Sequence, residues 1–240
     1  MATGESIPED DGTGRGRSAS GADDRVAAGA GGRLTASAAD RVALAVAAVP
    51  RARFLPAELQ ELAEQDHPLP IGLGQTSSQP TTVRDMLTLL DVRAGHRVLD
   101  LGAGSGWTTA LLARLAGPGG RVIGVERHAP LLGPAREALA EALADAGAGA
   151  GASGDAAHAE IRQARPGVLG MPEDGPYDRI LVSAGADHLP SALTAQLADG
   201  GVMVIPVRER MLRVVRREED LQVTRHGAYV FVPLVEDPSE

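Results

Sequence analysis

A short apolar run, followed by closely spaced glycines and a helical pattern, constrains this chain more than any other feature. Residues 97–101 predict a buried strand, the glycines within 102–106 turn the chain, and residues 107–116 predict a helix. A strand, a glycine turn and a helix in this order let the backbone approach a ligand closely and aim a helix N-terminus at it. The alternative is that the glycines make only a tight connection and bind nothing.

A second predicted strand, residues 121–126, ends in Glu126, which lies 24 positions after Gly102. In nucleotide-binding folds an acidic residue about 20 positions on meets the ribose. The glycines follow the pattern Gly-x-Gly-x-Gly, and Asp100 stands two residues before the first of them. A carboxylate there would repel a pyrophosphate and suits a cationic ligand. S-adenosylmethionine carries a sulfonium and an ammonium group, and the string Asp-x-Gly-x-Gly-x-Gly resembles motif I of the methyltransferases that use it.

The composition disfavours several classes of function. The chain of 240 residues has a net charge of −9 and 2% aromatic residues, which disfavours a nucleic acid as partner because such binding uses clustered basic and aromatic side chains. It contains no cysteine, so disulfides and thiolate catalysis are excluded. Since no apolar run approaches about 18 residues and no secretory signal is evident, we expect no membrane association and a cytoplasmic location.

The chain divides into a tail and one domain. Residues 1–37 are rich in Gly, Ala and Ser, have no apolar period and predict a disordered tail. Residues 38–236 predict a single domain, whose N-terminal part, residues 38–95, carries a substrate loop. Within the domain, residues 147–157 are rich in Gly and Ala and predict a flexible insertion.

Strands alternate with helices along this domain, and its last third alternates apolar with polar residues. This order predicts a Rossmann-like, doubly wound α/β fold, in which a mostly parallel sheet has helices on both faces and ends in a C-terminal antiparallel hairpin. A helix after Pro80 has an apolar face formed by Val83, Met86, Leu87 and Leu90. The other predicted elements are helices over 38–49, 57–65, 129–146 and 192–197, an extended segment over 67–72, and strands over 159–165, 178–183, 202–207, 211–216 and 221–234.

A polar loop, residues 74–80, precedes the amphipathic helix. Its sequence is Gly-Gln-Thr-Ser-Ser-Gln-Pro, and polar loops beside a ligand-binding core often carry substrate chemistry. Thr76 and Ser78 are its candidate functional residues. The alternative is a helix cap, in which one of the two hydroxyls satisfies backbone amides at the start of the helix.

Several segments occur in an order that carries a closer resemblance. They are Val-Pro-Arg-Ala-Arg-Phe at 49–54, Asp-His-Pro-Leu-Pro-Ile-Gly at 66–72, the polar loop, the glycine turn, and the stretches 175–180, 197–201, 204–207 and 231–234. Together they resemble the protein-L-isoaspartate O-methyltransferase family, to which the string Gly-Gln-Thr-x-Ser-Gln-Pro is particular. The resemblance implies methyl transfer from S-adenosylmethionine to the α-carboxylate of L-isoaspartyl residues in proteins or peptides. The methyl ester then collapses to a succinimide, whose hydrolysis returns some normal aspartate and so repairs the chain.

The resemblance also implies which residues act. Ser78 takes the place of the family's active-site serine, with Thr76 as its neighbour in the loop. Cofactor contacts come from the glycine turn and its flanking acids, namely Asp100, Gly102, Gly104, Gly106 and Glu126. A carboxylate with a pKa of about 3.9 is ionised at neutral pH and needs no general base. No histidine spacing suggests a metal site.

One segment departs from the family pattern. Where the family has Gly-Asp-Gly, this chain has Arg165, Pro166 and Gly167. The resemblance implies that the missing acid binds the adenine amino group, and a proline cannot donate a backbone hydrogen bond either. Losing one hydrogen bond would weaken cofactor binding by about 1 kcal/mol.

Two other functions stay open on the sequence. One is a methyltransferase that esterifies a normal aspartate of a dedicated peptide partner, and the other is a cofactor-binding module without turnover. An adenine-N6 nucleic-acid methyltransferase is disfavoured, because residues 183–186 are Ser-Ala-Gly-Ala instead of Asn/Asp-Pro-Pro-Tyr/Phe. We expect a monomer, and the sequence leaves open the natural substrate and the role of the tail.

Overall fold

The computed structural model describes residues 36–148 and 156–236. In these two ranges the chain forms five α-helices, nine strands and short 3-10 turns. The helices are α1 (Ala38–Ala48), α2 (Pro80–Leu90), α3 (Trp107–Ala116), α4 (Ala129–Ala148) and α5 (Ser191–Thr194). The strands are β1 (Leu69–Gly72), β2 (Gln75–Ser77), β3 (Arg97–Leu101), β4 (Arg121–Glu126), β5 (His158–Gln163), β6 (Tyr177–Val182), β7 (Leu197–Val207), β8 (Arg210–Arg217) and β9 (Asp220–Ala228). No helix in the described ranges has the length and apolar character that crossing a membrane requires.

Seven strands form one sheet in the order β5-β4-β3-β6-β7-β8-β9. Strands β3 to β7 pair in parallel, and β8 and β9 continue the sheet antiparallel. The predicted mostly parallel sheet with a C-terminal antiparallel hairpin is therefore confirmed. Because β3, β4 and β6 run in parallel, their carboxyl ends meet at one edge of the sheet, which is where ligands bind in such folds.

The two faces of the sheet carry separate apolar cores. Successive side chains of a strand point to opposite faces, so Val98 packs in the cluster formed with α1 to α4, while Leu99 belongs to the cluster on the other side. That second cluster contains Leu193 of α5 together with Met171 and Tyr177. Helices thus lie on both faces, as predicted, but most of the helical surface covers one of them.

The glycine-turn unit has the bounds that the sequence predicts. The strand over 97–101, the helix over 107–116 and the strand over 121–126 are β3, α3 and β4. The predicted apolar face of α2 is also the face that is buried, at Val83, Met86, Leu87 and Leu90. In both places the spacing of apolar residues decides the element, and glycine or proline marks where it begins.

Two predicted helices are shorter or tighter than expected. The helix over 192–197 is the single turn α5, because Leu197 already pairs with Tyr177 at the start of β7. The helix over 57–65 is a 3-10 turn that spans Ala57–Leu62.

The last strand of the hairpin is also shorter than predicted. It ends at Ala228 and does not continue to Leu234. Beyond it the chain returns to the carboxyl edge of the sheet. There the Gly185 N–H donates to the Val232 carbonyl at 2.8 Å, and the Leu234 N–H donates to the Gly185 carbonyl at 2.7 Å. Residues 232–234 therefore lie at the edge where ligands bind in such folds.

The predicted tail and insertion lie mostly outside the described residues. At the end of the tail, Ser37 forms a capping box with Asp40 at the start of α1, each side chain accepting from the other residue's N–H. At the end of the insertion, Ala157 is buried. The disorder predicted for 1–37 and the flexibility predicted for 147–157 otherwise stay predictions.

A small separate sheet carries the polar loop. Strands β1 and β2 pair antiparallel, with Leu69 opposite Ser77 and Pro70 opposite Thr76. The hairpin has an apolar cluster of its own, formed by Leu55, Ala63, Leu69 and Ile71. Part of the predicted loop is thus a strand, which gives its side chains defined directions.

The Leu87→Ala substitution should lower the free energy of unfolding by about 2 to 5 kcal/mol, because Leu87 is fully buried on α2. The matched control is Leu44→Ala on α1, whose side chain is 69% exposed and should contribute less than about 0.5 kcal/mol. Urea unfolding of both variants measures the difference. Equal losses in the two variants would contradict the core described above.

Candidate functional site

A cleft of about 580 Å³ opens at the carboxyl ends of β3, β4 and β6. Sites for small molecules occupy roughly 300 to 1,000 Å³, so the cleft has the size of a ligand site. Its walls come from the β1–β2 hairpin, the glycine turn with the start of α3, the ends of β4 and β5, and the C-terminal segment. Five of the seven predicted site residues line it: Thr76, Ser78, Gly102, Gly104 and Glu126.

The glycine turn is held against the neighbouring strand by its own backbone. The N–H groups of Gly102 and Ala103 both donate to the Val125 carbonyl, at 2.9 and 3.0 Å. Gly102 has a φ of 85° and Gly104 a φ of 55°, a left-handed conformation that glycine adopts most readily. The turn therefore presents bare backbone to the cleft.

Gly106 does not line the cleft. Its φ is 93°, and a Cβ on it would lie 3.0 Å from Ile161 Cδ1 and 3.1 Å from the Ala135 carbonyl oxygen. The absence of a side chain at this position thus lets α3 begin close to β5 and α4. The contact with a cofactor that the sequence predicts for Gly106 stays a prediction.

Glu126 ends β4 on the cleft wall, with its residue only 5% exposed. Its Oε2 accepts from the Gly104 N–H at 2.8 Å, and its Oε1 accepts from the His128 N–H at 2.7 Å. The carboxylate is therefore oriented by two backbone donors. Since a carboxylate oxygen has two lone pairs, each oxygen can still accept a second donor from the cleft.

Asp100 is fully buried beneath the turn and is not part of the cleft wall. Its Oδ2 accepts from the Thr108 hydroxyl at 2.8 Å and from the Thr109 hydroxyl at 2.7 Å, and its Oδ1 has no hydrogen-bond partner among the described residues. Burial raises the pKa of this carboxyl to about 6; the two threonine hydroxyls oppose the rise, and the nearby charge of Glu126 adds to it. Thr108 does line the cleft, so Asp100 reaches the cleft through that hydroxyl.

The hairpin brings the two predicted hydroxyls to the opposite wall. Thr76 and Ser78 both line the cleft, and Ser77 between them is buried. Helix α2 begins after Gln79, which makes no cap hydrogen bond with its side chain. Asp66 instead accepts from the Thr81 N–H and from its hydroxyl, each at 2.8 Å. The alternative prediction, that Thr76 or Ser78 caps this helix, is therefore wrong.

Sequence reasoning missed Arg51 and Trp107. Arg51 is 3% exposed, and its Nε donates to the Ser77 hydroxyl at 3.1 Å. Trp107, the only tryptophan of the chain, lines the cleft at the start of α3. Arg51 and Trp107 both belong to segments named in the sequence analysis, residues 49–54 and 107–116. Residue spacing within a segment does not indicate which distant segments contact each other in the fold.

The C-terminal segment is the second part of the cleft that sequence reasoning missed. Residues 232–236 line the cleft beyond the end of β9. Their backbone bonds to Gly185, which follows β6, hold them there. The sequence instead predicts a strand up to Leu234, so it does not indicate that these residues line the cleft.

The segment that departs from the family pattern also borders the cleft. Arg165 and Gly167 line it, while Pro166 does not. The Arg165 guanidinium pairs with the Glu173 carboxylate at 2.5 Å, on the protein surface. Glu126 and Glu236 are the acidic residues among the described lining, so the described cleft has no acid at this position. The described residues also contain no group of three or more His, Cys, Asp or Glu that could hold a metal.

Comparison with known proteins identifies relatives along almost the whole described chain. The family model "Protein-L-isoaspartate(D-aspartate) O-methyltransferase (PCMT)" matches residues 33–239. The protein-L-isoaspartate O-methyltransferase of Methanopyrus kandleri is 44% identical over 201 residues, which cover 82% of this chain and 84% of that protein. The corresponding protein of Anaeromyxobacter dehalogenans is 47% identical over 184 residues, which cover 75% and 81%.

A solved structure shares the fold. It is a Plasmodium falciparum protein-L-isoaspartate O-methyltransferase in complex with S-adenosyl-L-homocysteine, with a TM-score of 0.67 and 24% identity. The match covers 82% of this chain and 91% of that one.

The buried Asp100 should make the protein less stable as the pH rises from about 4 to about 6. Its pKa is about 6 in the folded protein against 3.8 for an ordinary aspartate, so between these values the folded state holds a proton that the unfolded state has released. The stability that this proton confers is complete only well below pH 3.8 and is lost as the pH rises through 6. It amounts to roughly 3 kcal/mol.

The Asp100→Asn variant removes this titration and serves as the reference. Urea unfolding of both proteins at pH 4 and pH 7 should show the wild type losing about 2 kcal/mol relative to the variant, because part of the effect is already lost at pH 4. A difference between the two proteins that stays constant with pH would contradict the raised pKa.

Proposed function

The chain belongs to the protein-L-isoaspartate(D-aspartate) O-methyltransferase family, and from that premise we propose which residues of the cleft carry out the reaction. The protein transfers a methyl group from S-adenosylmethionine to the α-carboxylate of L-isoaspartyl residues in proteins or peptides, which leads to repair through a succinimide. One observation carries the proposal: Thr76 and Ser78 of the hairpin line the same cleft as the glycine turn.

The glycine turn and Glu126 fit S-adenosylmethionine. When bound, this cofactor supplies a methyl group on a positively charged sulfur. Gly102 and Gly104 form a part of the cleft wall that is bare backbone. A Cβ on Gly102 would contact Ser183, and a Cβ on Gly104 would contact Ile71. Glu126 accepts hydrogen bonds from the ribose hydroxyls with the lone pairs that its two backbone donors leave free.

Asp100 acts toward the cofactor indirectly. Its carboxylate accepts from the hydroxyl of Thr108, a residue of the cleft wall, and so orients that hydroxyl. A positive charge in the cleft favours the ionised form of Asp100 and opposes the rise in its pKa that burial causes. A direct contact between Asp100 and the cofactor stays a prediction.

On the substrate side, Thr76 and Ser78 hold the carboxylate. Their hydroxyls donate hydrogen bonds to it and direct one oxygen toward the wall formed by the glycine turn. Because the carboxylate is already ionised at neutral pH, no residue has to remove a proton. What the chain contributes is orientation, which is worth several orders of magnitude in rate when the reacting atoms are aligned.

The altered segment 165–167 weakens the adenine side of the site. The resemblance implies an acid there, and the described lining offers Arg165 and Gly167 in its place. The loss of one hydrogen bond reduces affinity about fivefold and leaves the other contacts in place.

We also propose the substrates, the cellular location and the oligomeric state of the protein. The substrates are proteins or peptides that contain isoaspartate, and the net charge of −9 argues against a nucleic acid as partner. The protein acts in the cytoplasm as a monomer.

Ser78→Ala should lower kcat/KM for an isoaspartyl peptide by about 10- to 100-fold, because the hydroxyl that orients the carboxylate is gone. The Kd for S-adenosylhomocysteine should change less than about threefold, since the residue faces the substrate. Transfer of labelled methyl into a base-labile ester measures the first quantity, and calorimetry the second. Full activity in this variant would remove Ser78 from the mechanism.

Two controls accompany this assay. Thr224→Ala removes an exposed hydroxyl on β9 and should keep the wild-type rate. A peptide of the same sequence with normal aspartate tests the alternative substrate: label on that peptide alone would favour a dedicated aspartyl partner over repair of isoaspartate.

Pro166→Asp should tighten the binding of S-adenosylhomocysteine about fivefold, because it restores an acid for the adenine amino group, worth about 1 kcal/mol. Pro166→Ala is the matched control, since it restores only the backbone N–H. Calorimetry on both variants separates the two effects. Equal affinities for the wild type and the aspartate variant would show that a side chain at position 166 does not reach the adenine.

A further inference from the structure

Arg51 lies buried where the hairpin meets the start of α3, and it is 3% exposed. Its guanidinium makes five hydrogen bonds, which matches the five N–H groups that a guanidinium has. All five acceptors are uncharged: the Ser77 hydroxyl and the carbonyls of Ala63, Gln65, His67 and Ser77. A buried charge without a carboxylate is costly unless its hydrogen bonds are complete, and here they are complete.

Two of the five bonds hold Ser77. The Arg51 Nε donates to the Ser77 hydroxyl at 3.1 Å, and Nη2 donates to the Ser77 carbonyl at 2.9 Å. Ser77 ends β2 between the two hydroxyl residues of the cleft, Thr76 and Ser78. Because successive residues of an extended chain point to opposite sides, a fixed Ser77 fixes the directions of both neighbours.

The same guanidinium contacts the cofactor side of the cleft. Its Cζ lies 5.6 Å from the centre of the Trp107 ring, within the range of a cation–π interaction. Trp107 is the first residue of α3, directly after Gly106, and it lines the cleft. Its indole N–H donates to the Val49 carbonyl at 3.0 Å, so the ring cannot turn freely.

We propose that Arg51 is a positioning residue that holds the Thr76–Ser78 loop in register with the glycine turn. It touches neither the substrate nor the cofactor, and it acts through Ser77 on one side and Trp107 on the other. The rigid fork of a guanidinium suits this task, because it can hold several acceptors and stack on a ring at the same time. The inference rests on the roles proposed above for Thr76 and Ser78.

Arg51→Lys tests the inference, because lysine keeps the charge but has three donors and no plane to stack on Trp107. We expect kcat for an isoaspartyl peptide to fall about 10- to 100-fold, as follows from a displacement of about 1 Å. The Kd for S-adenosylhomocysteine should stay within about threefold of the wild type. The rates are divided by the concentration of cofactor-binding sites, which calorimetry measures at a temperature well below unfolding. A variant that is only partly folded is then not mistaken for a slower enzyme.

Arg53→Lys is the matched control. Arg53 lies with Arg51 on the 3-10 turn Arg51–Phe54, has a side chain that is 30% exposed and pairs with Asp145 at 2.5 Å. Its substitution should leave kcat within about twofold, since exposed ion pairs contribute little. An equal fall in both variants would assign the effect to the turn as a whole and overturn the role of Arg51.

Ser77→Ala gives an independent measurement, also if the lysine variant does not fold. It removes one of the two bonds between Arg51 and Ser77 and should lower kcat about 3- to 10-fold, again with little change in cofactor affinity. In the double variant the two effects should not multiply, because they act through the same contact. An unchanged kcat in Ser77→Ala or in Arg51→Lys overturns the inference. If Ser78→Ala is also fully active, the proposed roles of the loop hydroxyls fail with it.

Discussion

The site depends on a backbone contact between two parallel strands. Where β3 ends, the N–H groups of Gly102 and Ala103 converge on the Val125 carbonyl near the end of β4. This contact bends the chain back over β4 and brings the Gly104 N–H to the Glu126 carboxylate. A side chain on these glycines would disfavour the left-handed conformation that the bend needs. The shape of the cleft, the direction of α3 and the orientation of Glu126 therefore all depend on this one backbone contact.

The ionisable groups buried around this turn have neutral partners in place of counter-ions. Asp100 accepts from threonine hydroxyls, Glu126 from backbone N–H groups, and Arg51 donates to carbonyls and a hydroxyl. Neutral partners fix the direction of a charged group and leave its charge uncompensated. The energetic consequence is visible at Asp100, whose pKa is raised to about 6 by burial. A pKa that the protein environment shifts in this way is common at functional sites.

The sequence predicted best what local signals determine. The bounds of β3, α3 and β4 and the buried face of α2 follow from apolar spacing, glycines and a proline within about ten residues. It predicted less well what depends on distant partners. Strand β7 begins at Leu197 because Tyr177 pairs with it, and residues 232–236 join the cleft through Gly185. Five of the seven site residues proved to line one cleft, since family motifs, unlike periodicity, carry information about tertiary contacts.

The two hydroxyls that we propose as ligands of the substrate carboxylate suit the charges of the reaction. In the proposed reaction a carboxylate oxygen would take the methyl group from a cationic sulfur, so that the C–S bond breaks as the C–O bond forms and the negative and positive charges are neutralised together. A residue that bound the carboxylate as a salt bridge would stabilise the separated charges more than the transition state, and would slow the reaction. In the proposed mechanism Thr76 and Ser78 orient the oxygen with neutral donors, while the Arg51 guanidinium lies behind Ser77 and donates to the Ser77 carbonyl. Moving a cation from behind this loop into the cleft would therefore improve binding of the isoaspartyl carboxylate at the expense of its conversion.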